Sequence, residues 1–319
     1  MNRFLIVLAS WLLAAGAWAQ PYPSKPVRLI VPFVPGGNVD ITARTVAPAL
    51  GDALGQPVVV ENRPGAAGLV GAQALLASPP DGYTLMMGSN SSLAVAPNLY
   101  PNWPYDPLKG ITPISNLAIV PFVLVVKLGL PAQSLPEVIA LAKQKPGQLT
   151  MASGGNGSSN HLVGELFQMM TGVKFSHVPY KGTGAALVDL AGGQVDLLFD
   201  QASSTVPNVR GGKIRAIAVA SRVRQTTLPD TPTFAEAGVR DFEIDNITGI
   251  VGPVGLPQEV VARIHGAAVT ALATPAVKER FATFGMQPVG DTPEQFAAFI
   301  REDLARWAKV IKAAGIKVE

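Results

Sequence analysis

The 319-residue chain has no cysteine. Disulfides, thiol nucleophiles, thiolate metal sites and a cysteine-linked lipid anchor are therefore excluded. Histidine is scarce, at three residues, and no HExxH or DxDxDG string occurs. A metal site thus has no recognisable ligand set. Charged residues make up only 15%, and no basic run exceeds two residues. That argues against nucleic acid as a partner. The phosphate-binding strings are missing as well. GxxxxGK[ST] does not occur, and GxGxxG fails at Asn160 when begun at Gly155 and at Leu187 when begun at Gly182. No GxSxG nucleophile elbow exists. No catalytic residue and no cofactor is assigned on these grounds.

Apolar residues are abundant, at 48%, enough for a sizeable core in a chain long enough for two domains. The 32 glycines and 28 prolines are spread along the chain, which suits many short loops. Residues 1–19 need separate treatment. Arg3 precedes an apolar run over 4–15, and Ala17-Trp18-Ala19 gives a small-x-small cleavage pattern. This predicts a secretory signal peptide, removed near Gln20. The run is short for a bilayer span, so the mature chain is not expected to be membrane-inserted. The formal charge of the full chain is +3, too weak to decide a partner.

Beyond the signal, strand and helix patterns alternate. VRLIVPF (27–33), PVVVE (57–61) and DGYTLMMG (81–88) read as strands, with helical spacing over 39–54 and 69–77 between them. This βαβαβ order predicts a parallel sheet covered by helices. A proline-rich connection spans 97–113, then IVPFVLVVK (119–127) reads as an apolar strand. SLPEVIALAKQKPG carries a capping box, Ser134 with Glu137, and a Pro-Gly stop. Strands follow at 174–180, 195–200 and 214–221, an extended run from about 241, and helices over 257–272, 275–284 and 292–314.

The two halves share one device. VPFVPGGNVDITARTVAPAL and TMASGGNGSSNHLVGELFQM are each a strand, a Gly-Gly-Asn loop and a helix. A helix N-terminus offers unpaired N–H groups and a positive dipole end, so it accepts an anion without a cationic side chain. Glycine lets the backbone approach closely, and serine adds hydroxyl donors. Gly36, Gly37 and Asn38 in one lobe, and Ser153, Gly155, Gly157, Ser158 and Ser159 in the other, are therefore candidate anion ligands. His161 sits at the second helix start and reads as a brace for the loop. Asp40 stands in a first turn, where capping and ligand contact are both open readings. Lys181 lies in the loop of VPYKGTG, and Asp200 ends a strand that could reach an inter-lobe crevice.

Taken together, PFVPGGNVDITAR, GQPVVVENRPGAAG, PDGYTLMMGS, SGGNGSSNHLVGELF, HVPYKGTGAALVDLAGGQVDLLFD and IRAIAVAS resemble the Bug proteins. These are the TctC-like substrate-binding receptors of tripartite tricarboxylate transporters. The resemblance runs from about Pro23 to the C-terminus. It implies an α/β fold of the type II periplasmic binding class, with two lobes joined by two crossover strands around a cleft. The implied lobes are 20–120 with 247–319, and 121–246. It implies a periplasmic monomer that binds a small carboxylate and serves membrane permease subunits. Carried over residue by residue, it implies ligand contacts from Phe33, Gly36, Gly37, Asp40, Ser89, Asn90, Ser153, Gly155, Gly157, Ser158, Ser159, Lys181, Gly182, Thr183 and Asp200. Service to a sensor and, more remotely, an α/β enzyme acting on a carboxylate are the alternatives. Three stretches depart from the family pattern: KGITPI at 109–114, Ala185 in place of the usual proline, and DNITGIVGPVGLP at 245–257, which lacks an aromatic before Gly249.

Overall fold

The computed structural model describes residues 22–316; the expected signal peptide lies outside the described residues. Ten strands form one curled sheet, eight along a continuous path and two branching from its longest strand. β1 (Val27–Val31) pairs in parallel with β2 (Val58–Asn62) and β3 (Thr84–Ser89). Helices α1 (Asn38–Leu54) and α2 (Leu69–Leu76) make the connections. After β3 a π-helical turn, Ser91–Val95, runs into the short helix α3 (Ala96–Leu99).

The 17-residue strand β4 (Ile111–Lys127) then runs through both halves of the molecule. Its first part pairs antiparallel with β9 (Asp245–Pro253), from Ile111↔Pro253 to Pro121↔Asp245. Its second part pairs with β7 (Leu197–Gln201) on one side and β8 (Ile214–Val219) on the other. Between them come α4 (Leu135–Gln144), β5 (Thr150–Ser153), α5 (Ser159–Thr171), β6 (Ser176–Pro179), α6 (Thr183–Ala191) and α7 (Ala202–Arg210). β5 pairs in parallel with β6 and β7. β9 returns to the first half, antiparallel to β3. The chain closes with α8 (Gln258–Ala273), α9 (Pro275–Thr283), the two-residue β10 (Gln287–Pro288) against β4, and α10 (Pro293–Ala314).

The inner strands are buried apolar runs because helices cover both faces, whereas β2 and β6, at the two ends of the path, and β10 are partly exposed. Leu29, Val31, Leu85 and Met87 pack with Val46, Leu50 and Ile264 of α1 and α8 in the first half. Phe122, Phe167, Phe199, Phe234 and Phe242 build the core of the second. α10 serves both: Phe296 and Ile300 join a first-half cluster, whereas Trp307 and Ile311 join the phenylalanine cluster. One expectation is corrected here. Ser134 does not cap α4 with its side chain. Glu137 reaches one residue further back and accepts the Gln133 N–H at 2.6 Å, so the reciprocal box is not made. The complete capping box is at α10, between Thr292 and Gln295. No single helix among the described residues is long and apolar enough to cross a membrane.

Candidate anion-binding cleft

A cavity of about 50 Å³ lies where the two halves face each other. Four α-helices aim their first residues at it. α1 presents Gly37, Asn38 and Val39; α5 presents Ser158, Ser159 and Asn160; α6 presents Gly182 and Thr183; α7 presents its N-cap, Gln201. Phe33, Val34, Ser89, Ser91, Gly154 and Asn246 complete the wall, and no lining residue is charged. Each helix start carries roughly half a positive charge and N–H groups without intrahelical partners. Four of them around one uncharged space favour a negative group there. A larger groove of about 760 Å³ runs along the far side of α1, lined by Arg44, Pro48 and Gly51. No helix N-terminus faces it, so size does not identify the site.

Of the residues singled out from sequence, Phe33, Gly37, Ser89, Ser158, Ser159, Gly182 and Thr183 line the cavity, as does Asn38. The others stand around it. The Gly36 N–H donates to Asp40 Oδ2 at 3.0 Å. Asp40 also accepts from Arg44 Nε at 3.0 Å and Asn62 Nδ2 at 2.9 Å. Burial raises its pKa, but these donors outweigh burial and hold it below the usual carboxylate range. Asn90 donates to Asp303 and accepts from the Ile247 N–H, both at 2.7 Å, tying the β3 loop to α10 and β9. Gly155 and Lys181 line an outer vestibule of about 500 Å³ with Tyr100 and Tyr180. Asp200 is wholly buried; it accepts from Asn160 at 2.9 Å and Ser204 at 2.6 Å. Burial pushes its pKa up to about 6 against those bonds and the Gln201 N–H.

The glycine-serine loop is braced from below. Ser153 Oγ and His177 Nε2 are 2.6 Å apart. The His177 ring stacks on His161, centroids 3.9 Å apart and planes 2° off parallel. His161 Nδ1 accepts the Gly157 N–H at 3.2 Å, which places the ring proton on Nε2, facing Glu165 at 3.6 Å. Gly157 adopts φ +71°, a region that favours glycine. Ser158 accepts the His161 N–H and so caps α5. Burial first, and the adjacent His161 second, pull the His177 pKa down to about 4.

Direct bonds cross the cleft. Ser91 Oγ accepts the Ser159 N–H at 2.9 Å and donates to Ser159 Oγ at 3.0 Å. Asn38, held by donating to Thr248 of its own half at 2.8 Å, accepts from Ser203 of the opposite half at 2.6 Å. The cleft is nearly shut. Sequence reasoning did not name Val34, Val39, Ser91, Gly154, Asn160, Gln201 or Asn246 as wall residues. Asn246 left the clearest signal, a polar residue inside an extended apolar strand.

The pattern of the tripartite tricarboxylate transporter family receptor, TctC, matches residues 42–316. The chain belongs to the TctC family. This TctC chain is 40% identical over 324 residues to protein BugT of Bordetella pertussis, covering 100% of the chain and 99% of that protein. Its structure is similar to that of R. palustris Rpa4515 with adipate, at a TM-score of 0.89 and 36% identity over 93% of this chain and 99% of that one. It is also similar to MatC (Rpa3494) from Rhodopseudomonas palustris with bound malate, at a TM-score of 0.86 and 33% identity over 91% and 100%. The likeness extends through both halves. The TctC chain therefore has the two-lobed fold of periplasmic binding proteins, and the cavity lies in its inter-lobe cleft.

Proposed function

We propose that this chain is a periplasmic receptor that captures a small carboxylate in its cleft and delivers it to the permease subunits of a tripartite transporter. The convergence of four helix N-termini on one uncharged cavity carries this reading. With no lysine or arginine in the wall, a singly charged planar carboxylate suits the space better than a doubly charged phosphate, whose burial costs more. The ligands in the two similar structures, adipate and malate, are both carboxylic acids.

In this reading Phe33, Gly37, Ser89, Ser158, Ser159, Gly182 and Thr183 contact the ligand. Gly36, Ser153, Gly155 and Gly157 shape the loops, Asp40, Asn90 and Asp200 hold the frame, and Lys181 faces acids that extend into the vestibule. The lobes are 20–120 with 247–319, and 121–246. Residues 1–19 direct export and are removed. Closure excludes water, which strengthens the hydrogen bonds to the ligand. No bond is made or broken.

The test is thermal unfolding of the mature protein against mono-, di-, tri- and aromatic carboxylates, phosphates, nucleotides and sugars. A ligand at 100 times its Kd adds about 2.7 kcal/mol of stability. Stabilisation by carboxylates is expected. Stabilisation by nucleotides or sugars alone would sink the carboxylate reading, and turnover of a stabilising acid would sink the receptor reading.

A further inference from the structure

Among the described residues, eight buried side-chain nitrogen or oxygen atoms have no hydrogen-bond partner. Three of these belong to the cavity wall: Ser89 Oγ, and both Nδ2 and Oδ1 of Asn246. Asn246 is 1% exposed and Ser89 3%. A buried amide with neither atom paired is rare and unfavourable unless something binds it. Its own strand supplies no partner. The Ile247 N–H is taken by Asn90, and Thr248 Oγ1 by Asn38. Asn246 sits opposite Val120, where the two crossover strands run together, so its backbone is held while its side chain faces the cavity.

We propose that Asn246 reads a hydroxyl group on the bound acid, with Ser89 supporting it from the same wall. This rests on the carboxylate reading of the cleft. The asparagine amide offers a donor and an acceptor together. An ionised carboxylate only accepts, so it would leave Oδ1 bare. An ammonium group only donates, so it would leave Nδ2 bare. A hydroxyl does both and matches the amide atom for atom. The carboxylate then takes the helix N-termini, and the hydroxyl takes Asn246. The selected class is hydroxy-carboxylates, discriminated from their deoxy counterparts because a buried polar group left unpaired penalises the wrong ligand.

The experiment is calorimetric titration of the ligand-free protein at pH 7.5, where the acids are ionised. Matched pairs differ in one hydroxyl: malate and succinate, citrate and tricarballylate, lactate and propionate, mandelate and phenylacetate. The hydroxylated member of a binding pair should bind at least about tenfold tighter. Asn246→Leu, of similar size, should bring that ratio to within about threefold by weakening the hydroxy acid. If Asn246→Leu does not fold, Asn246→Ala, which also removes both donor and acceptor, serves the same comparison. Equal or tighter binding of the deoxy acids, or an undiminished ratio in the variant, overturns this inference and leaves the receptor reading standing. Failure of every acid in every pair overturns the carboxylate reading and this inference with it.

Discussion

His177 stands under the glycine-serine loop, its Nε2 on Ser153 and its ring against His161. Its pKa, lowered to about 4, gives a definite sign. Between pH 4 and an ordinary histidine value near ~6.5 the unfolded chain binds the proton and the folded chain does not. Stability from this group is full above that window and falls as the pH drops through it. Asp200 and Asp303 act the other way. Burial, the leading cause for both, raises each to about 6. Between roughly pH 4 and 6 the folded chain binds their protons, so their cost is present above the window and relieved below it. His177→Gln should therefore lose less melting temperature between pH 7 and 5 than the wild type does; an identical loss would refute the assignment. Legibility at this scale followed backbone chemistry. The cavity-lining loop residues Gly37, Ser158 and Ser159 were readable because glycine and serine before a helix have a local reason to be there. Asn246 and Gln201 were not, because only tertiary folding turns a strand residue or a strand end toward a cleft.

Helix ends differ in how they are held. Thr292 accepts the Gln295 N–H while Gln295 reaches back to the Thr292 N–H at 2.9 Å. The cap fixes the start of a helix whose Phe296, Ile300 and Trp307 are buried. Thr292→Ala should cost about 1 kcal/mol in chemical denaturation. Ser134→Ala should cost less, since Ser134 makes no side-chain cap on α4; equal losses would contradict the difference. The sequence pattern Ser-x-x-Glu suits both geometries, which is why only coordinates separate them. Strand β4 shows a similar limit. Its apolar stretch was readable from about 119, but 111–118 contains Pro113, Ser115 and Asn116 and resembles a loop. Pairing with β9 makes it a strand, with register shifts between Pro113 and Ser115 and between Asn116 and Ala118. Irregularities of that kind absorb polar and proline residues without breaking a sheet.

At the scale of the whole molecule the two lobes touch closely at Gly37. A Cβ built there would lie 3.4 Å from Thr183 Oγ1 of the opposite lobe. The Gly37 backbone is extended, φ −84° and ψ 170°, so a side chain brings no backbone strain. Gly37→Leu should hold the cleft open. X-ray scattering should show no compaction with any carboxylate that compacts the wild type, while the unliganded melting temperature stays within about 4 °C. Wild-type affinity in this variant would show that closure does not bring these two residues together. The alternating βαβ order made the two α/β halves legible, because each repeats the same local pattern. The near-shut cleft was not, because it depends on side chains such as Ser91 and Ser159 that meet only after folding.

The order of the strands also sets a timetable. In the finished sheet β9 lies between β3 and β4, yet it is made last of the three, ending at Pro253, whereas β3 ends at Ser89. Until β9 takes its place the facing edges of β3 and β4 lack their shared partner, and bare edges invite wrong pairing. The first lobe begins the chain but is finished only after the second has been made.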